Sequence, residues 1–594
     1  MKTKTYFFLF LISESINSLL AQTPKWEKFY GGTGAESAKY VIQTQDHQGY
    51  VAGGGPRIGN TSNNHIFLFK VDFNGDTLWT NYVGESSSSH DFIEKIIEIQ
   101  DGNLVMCGSS QDSLQIISLK RNGNPSLFKT DYAGTILWVK HYGYNFGGYF
   151  LDMIETPDTG YIMVGFVNTF PDTMSNDDMY IVKTSSEGDT LWTKKWGGPF
   201  RDFISGISPT FDGGYLLLGG ISDTIWWTAL DLSLTKISPN GIIEWTKSFD
   251  FGSLADFGSN IIQTPDSGFV ICGQRNNELT IGNAFLLKIN SLGDTLFSKT
   301  IGPTSNYSSS NSISPTNDKG FIITGNYDPK ITFENDVNIF LFKTDSLLQE
   351  QWIRVFGVAR YDGSFDEVSH CVRETFDGGY IVSGFAENNL INSDDAYLIK
   401  TNCAGFAGPP LAKFNISPNE MKVKFENKSD SAVNFKCYFG DGDSLVYDWD
   451  KSWLWIRKSP PDTFTHVYAD TGTYTITLLA GACGEWDTLR QTINIFRTAI
   501  AKNEMENSSS LIKITPNPMY DVIQVESNAN EPIRLNMYDV TGKKLYEFEF
   551  GKSVTQNKNT FVHKINISFL PQGIYFYRVI DKAGNLGFGK IVKM

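Results

Sequence analysis

Short apolar runs of about five to eight residues, rich in Ile, Val, Phe, Leu and Tyr, alternate with clusters of Gly, Asp, Asn, Ser and Thr along most of the chain. No 3.6-residue periodicity is sustained between the breaks, so the runs read as strands and the breaks as turns. The pattern predicts an all-β protein. Aromatic residues make up 14% of the chain and there are 55 glycines, a composition that favours strands and tight turns over helices.

The runs repeat. A block of the form Asp-x-Gly-aromatic-apolar-x-x-Gly recurs with its landmark at Tyr50, Leu104, Tyr161, Tyr215, Phe269, Phe321 and Tyr380, and a glycine follows four residues later each time, from Gly54 to Gly384. A second block ends in lysine, at Lys70, Lys129, Lys183, Lys236, Lys288, Lys343 and Lys400. An aromatic follows in most units, at Trp79, Trp138, Trp192, Trp245, Phe297 and Trp352. In the fifth unit the expected strands are Ser259–Thr264, Phe269–Gly273, Ala284–Asn290 and Asp294–Ile301, with glycine supplying positive φ in the Asp266-Ser267-Gly268 turn. Four-stranded units of about 50 residues match the blades of a β-propeller.

The ends of the array suggest how it closes. The seventh unit stops after Lys400 without its Trp strand, whereas Trp26-Glu27-Lys28-Phe29-Tyr30-Gly31-Gly32 matches that missing strand. Residues near 24–32 are therefore expected to complete the seventh blade. The expected domain is a seven-bladed propeller over residues 22–405. A closed ring leaves no long free edge, which an open solenoid would.

With 594 residues the chain needs several cores. Its net charge of −15 repels phosphate backbones, so nucleic acid is not an expected partner. Lys2 and Lys4 precede the apolar Tyr6–Ile12 run, which reads as a signal peptide over residues 1–21 cleaved between Ala21 and Gln22. No stretch approaches the roughly 20 apolar residues of a transmembrane helix. An exported chain permits disulfides among its six cysteines. Cys107 and Cys272 hold the same place in different repeats and read as buried thiols, while Cys371 and Cys403 are a candidate pair within the seventh unit.

A Pro/Gly linker at 404–410 precedes Phe439-Gly440-Asp441-Gly442 and His466-Val467-Tyr468-Ala469-Asp470-Thr471-Gly472-Thr473-Tyr474. Residues 411–497 thereby resemble the PKD family, which implies a small β-sandwich, here with Cys437 where the family often has Trp. Cys437 and Cys483 are a candidate bridge in it. An insertion carries Trp449, Trp453 and Trp455, which are candidate ligand-stacking residues. Residues 498–511 are polar and read as a linker. Residues 512–594 carry Pro516-Asn517-Pro518, then Tyr538-Asp539 with Gly542, then Gly573 and Tyr575. This order resembles the type A sorting domain of the type IX secretion system of Bacteroidetes. The resemblance implies a second β-sandwich, recognition by that machinery, and a protein released or attached at the cell surface.

Chemistry is harder to find. Asp72-Phe73-Asn74-Gly75-Asp76 opens like a calcium loop, but Val83 stands where the closing Glu belongs, so a hairpin turn is expected. The repeated lysine reads as a solvated side chain, with a channel-lining role as the alternative. No nucleophile elbow, zinc motif or phosphate loop occurs, and no cofactor or metal is expected. The expected function is a non-enzymatic surface protein for binding or adhesion to glycan or protein, with contacts at the Phe170–Asp178 and Ile221–Leu232 loops. The alternative is a secreted carbohydrate-active hydrolase or lyase with its site in the central funnel.

Overall fold

A computed structural model describes residues 25–594 except 33–34, 56–64, 85–89, 112–122, 144–146, 169–176, 223–229, 252–254, 277–281, 304–306, 329–336, 358–366, 389–392, 448–462, 497–511, 516–520, 528–532, 551–560 and 581–586. The described residues form strands and turns with no helix. Chain contacts give two compact units, one of Met1–Asn415, Glu426–Phe464 and Thr475–Gln491, the other of Ile416–Phe425, Thr465–Tyr474 and Thr492–Met594.

In the first unit the repeats become antiparallel four-stranded sheets with strands in sequence order. The first sheet holds Tyr40–Gln43, Tyr50–Gly54, Ile66–Val71 and Thr77–Val83. Sheets two to six follow between His90 and Phe356, and sheets four and five are joined by one parallel bridge, Leu230 to Ala255. The seventh holds Val368–Glu374, Tyr380–Asn388 and Ser393–Thr401, and its outer strand is Trp26–Tyr30 from the other end of the chain. That strand pairs antiparallel with Ser393–Thr401 from Trp26↔Lys400 to Tyr30↔Ala396.

The middle strands of each sheet are buried on both faces, which is why they read as unbroken apolar runs. The outer strands alternate, as in Thr77–Val83, because one face meets water. Apolar cores are shared between consecutive sheets. Ile66, Val83, Ile93 and Met106 join the first to the second, and Ile339, Trp352, Val382 and Tyr397 join the sixth to the seventh. A further core of Trp26, Tyr50, Phe69, Cys371 and Leu398 joins the seventh to the first.

Apart from Gly49, whose φ is 150°, the two repeated glycines answer to space and not to φ. A Cβ on Gly108 would stand 1.9 Å from the Phe92 carbonyl oxygen, beside the bulge that the innermost strand carries in sheets two to seven. A Cβ on Gly160 would stand 2.1 Å from the Thr184 oxygen and 2.5 Å from Lys183 Nζ. The expectation of positive φ at Gly268 is corrected accordingly: the residue with positive φ in that turn is Ser267, at 65°. Except for Lys129 in the second sheet, the repeated lysine is also neither solvated nor channel-lining. Lys183, Lys236, Lys288, Lys343 and Lys400 are buried and reach Asp158, Asp212, Asp266, Asp318 and Asp377 at 2.8–3.0 Å.

A latch links neighbouring sheets at the rim. The outer-strand Trp of one sheet covers the turn glycine of the next: a Cβ on Gly134, Gly241 or Gly405 would meet Trp79, Trp192 or Trp352 at 2.6–2.9 Å. These glycines do need positive φ, 73–80°. Trp26 covers Gly75 in the same way, its indole N–H donates to the Phe73 carbonyl at 2.9 Å, and Lys28 pairs with Asp76 at 2.7 Å. The Asp72 turn belongs to this latch, since Asp72 Oδ1 accepts from the backbone N–H of Asn74 and Asp76, both at 2.8 Å.

After the seventh sheet come a three-stranded sheet of Phe414–Asn419, Lys422–Asn427 and Thr463–Val467, and a four-stranded sheet ordered Ser444–Tyr447, Asn434–Tyr438, Gly472–Ala482, Glu485–Ile495. The cysteine expectations fail here. The disulfide joins Cys403 to Cys483, and Cys371 and Cys437 are free and buried, so neither Cys371–Cys403 nor Cys437–Cys483 forms. Cys371 faces the core shared by sheets seven and one, and Cys437 faces the apolar side of its own sheet among Phe435, Phe464 and Leu478. Ala404, Val433 and Ala482 pack around the bridge, Lys25 pairs with Glu485, and Asp487 accepts from the Ala412 N–H at 2.8 Å. Cys107 and Cys272 are buried in the second strands of sheets two and five, and burial pushes the Cys272 thiol up to about 12.

In the second unit the tail forms a three-stranded sheet, Ile512–Thr515, Val522–Ser527, Phe561–Asn566, and a four-stranded sheet ordered Lys544–Phe550, Ile533–Tyr538, Gly573–Ile580, Gly587–Lys593. Their apolar sides share a core of Ile523, Val525, Leu535, Met537, Ile565, Val579 and Ile591.

Candidate functional site

The innermost strands of sheets two to seven converge on a cavity of about 320 Å³. Its wall includes Lys95 and Asp152, then Ile207, Ser208 and Pro209, then Asn260 to Gln263, then Ile313, Ser314 and Pro315, and finally Arg373. The local cause is the bulge in each innermost strand, for example between Ile93 and Lys95, Phe150 and Asp152, and Gly258 and Asn260. A bulge re-aims the next side chain. Lys95, Asp152 and Asn260 each stand directly after one.

The charged groups form one chain of contacts. Lys95 Nζ lies 2.6 Å from Asp152 Oδ1, which also accepts from the Met153 N–H at 2.8 Å. Asp152 Oδ2 accepts from the Ile207 N–H at 2.9 Å, so this carboxylate ties sheets two, three and four together. Burial works against the Lys95 charge, and Asp152 together with Tyr40 more than offsets it, holding the ammonium well above its ordinary range. Arg373 donates to the Val372 carbonyl at 2.7 Å and to the Tyr40 hydroxyl. Its guanidinium lies 4.7 Å from the centre of the Tyr40 ring, and Lys95 lies 5.9 Å from the same ring. Asp152 is the one carboxylate among the described residues lining the cavity. The arrangement suits hydrogen bonding and charge recognition better than paired acid–base work, which needs two carboxyl groups facing one bond.

None of these residues was singled out by the sequence. Lys95, Asp152 and Asn260 share one register position, which holds Tyr40, Gly206, Ser312 and Cys371 in the other units and so differs in every unit, and Arg373 stands two residues further along its strand. That variation, set against fixed neighbours, was the available signal. Of the residues that were singled out, Trp449, Trp453 and Trp455 lie outside the described residues, as do Ala21, Gln22, Pro516, Asn517, Pro518 and the middle of both candidate loops. In the tail, Tyr538 ends a strand and Asp539 holds the turn, accepting from the backbone N–H of Thr541 and Lys543 at 2.9 and 3.0 Å. Gly542 has φ 84° in that turn. Gly573 begins the next strand, where the Tyr575 hydroxyl donates to the Pro571 carbonyl at 2.6 Å.

Comparison with known proteins separates the two ends of the chain. No curated protein matches it. Among solved structures, the PKD1 domain of the Vibrio cholerae metalloprotease PrtV is 26% identical over 15% of this chain and 99% of that domain, with a TM-score of 0.12. A Dyadobacter fermentans protein of unknown function is 10% identical over 52% of this chain and 93% of its own, at 0.38. A polysaccharide lyase of family PL25, an ulvan lyase, is 8% identical over 65% and 97%, at 0.43. None of these reaches the similarity at which a shared site follows. Residues 513–593, by contrast, match the family model of the secretion system C-terminal sorting domain. A chain that carries this type IX sorting domain engages that secretion machinery, and the protein is accordingly a secreted one, displayed at the cell surface or released.

Proposed function

We propose that the seven sheets form a seven-bladed β-propeller, closed by the Trp26–Tyr30 strand, which type IX export presents outside the cell as a non-enzymatic platform for binding glycan or protein. Closure is supported by the core that sheets seven and one share and by the Trp26–Gly75 latch, which repeats the contact made at the other rims. The PKD-like segment, residues 411–497, acts as a spacer or accessory binder, with Trp449, Trp453 and Trp455 as stacking residues. This part of the reading rests on the sequence motifs.

The observation that carries the binding role is the state of Asp152. Both of its oxygens are engaged, by Lys95 and by two backbone N–H groups, and no second carboxyl among the described lining residues faces it. The test is a glycan array probed with the secreted chain, with released sugar measured in the same wells. Binding without released sugar is expected. Release of sugar would overturn the proposal in favour of a hydrolase or lyase.

A further inference from the structure

Resting on the reading of this region as a binding platform, we propose that the central cavity is a site for a small organic oxyanion, a carboxylate- or sulfate-bearing ring about the size of one sugar, held by Arg373. Charge favours an anion here. The described wall carries Lys95 and Arg373 against Asp152 alone, an excess of one positive charge in a protein whose net charge is −15. Lys95 and Asp152 satisfy each other at 2.6 Å. That leaves Arg373, and no carboxylate lies within ion-pair distance of it among the described residues. Asp152, already held by Lys95, supports the Arg373 charge only from beyond ion-pair distance, and an anion from solution gives the guanidinium a direct partner.

Hydrogen-bonding capacity favours it as well. A guanidinium has five N–H donors in a fixed fork, suited to planar or tetrahedral oxyanions. The Val372 carbonyl and the Tyr40 hydroxyl account for two donors, through different terminal nitrogens. Stacking on Tyr40 fixes the plane of the group before any ligand arrives, so little side-chain freedom is lost on binding. The rest of the wall suits a sugar ring. Ser208, Asn260, Gln263 and Ser314 offer neutral donors and acceptors suited to ring hydroxyls, and Ile262 offers an apolar surface suited to a ring face. A volume of about 320 Å³ accepts one such ring.

The test titrates the full secreted chain calorimetrically with sodium glucuronate, glucose 6-sulfate and neutral glucose. Both anions are expected to bind, with affinity falling as sodium chloride rises, and glucose at least roughly tenfold more weakly. Arg373→Gln should weaken the anions by roughly 10- to 100-fold, with partial recovery in Arg373→Lys. Should the Arg373 variants fail to fold, Gln263→Trp, which fills the cavity from its wall, should abolish anion binding while circular dichroism stays unchanged. Competition by an oligosaccharide with a terminal uronate would identify a chain end as the source, and competition by the free acid alone a metabolite. Either upholds the site. Equal binding of glucose and glucuronate, no binding of either anion, or binding unchanged in both the Arg373 and Gln263 variants would overturn it. A positive glycan array combined with a cavity that takes no anion would remove this site and leave the platform standing on other surfaces.

Discussion

Aspartates in the repeated Thr-x-Asp turns take a proton far less readily than free aspartate. In Asp158 the hydrogen bond from Lys183 leads, followed by that from Thr156, and the carboxyl is held down to about 2. In Asp212 the Thr210 hydroxyl leads, with the Gly214 N–H and Lys236 adding to it, again to about 2. In Asp266 burial works the other way but is outweighed by Lys288 and Thr264, with the same result. A carboxyl at about 2 when folded and near 3.9 when unfolded contributes stability that is fully present above pH ~4 and is lost as pH falls toward ~2. Glu36 and Asp202, raised by burial, act in the opposite sense at higher pH. Melting temperature is therefore expected to hold near pH 5 and to fall steeply between about pH 4 and pH 2, as scanning calorimetry across that range would show. A fall centred near pH 6 would contradict it. Lysine and aspartate were each legible as repeated letters, but their meeting was not, because it depends on a glycine whose missing Cβ leaves room for the ammonium. The second sheet shows the dependence: Ile99 replaces the turn threonine, Asp101 turns to Asn103, and Lys129 is only half-buried.

Each strand draws its pattern from where it lies in its sheet. The repeat period and the Gly and Asp breaks made four strands per unit readable, since runs buried on both faces and alternating outer strands look different as sequence. The bulges of the innermost strands were not readable, because a single extra residue leaves no compositional mark, and with them the cavity was missed. The latch can be tested at this scale. Trp26 is 8% exposed, stands edge-on to Tyr30 and Tyr50, and covers Gly75. Trp26→Ala is expected to cost about 3–5 kcal/mol by denaturant titration. Phe297→Ala, at a rim aromatic that is 39% exposed, should cost clearly less. Equal costs would mean that the N-terminal strand contributes nothing special.

Across the whole chain, the segments were legible in outline, through the repeat and the tail motifs, but not the covalent link between them. Spacing favoured pairs inside one segment, whereas Cys403 and Cys483 are brought together by packing around Ala404, Val433 and Ala482 across 80 residues. Thiol counting is the check: the oxidised protein, unfolded without reductant, should label at four cysteines, and at six after reduction. Labelling at two would reinstate the pairs that spacing suggested. The placement of Trp26–Tyr30 against Ser393–Thr401 has a consequence for how the molecule is made. The first strand to emerge from synthesis has its partner in the last repeat, so it stays unsatisfied until nearly all of the seven-sheet region has been produced. Contacts between such distant segments form late and slowly. A molecule that lost those opening residues to a protease before that moment would keep the outer edge of Ser393–Thr401 bare, and a bare edge is a template for another chain. Nicked molecules would then recruit each other, and intact ones would not.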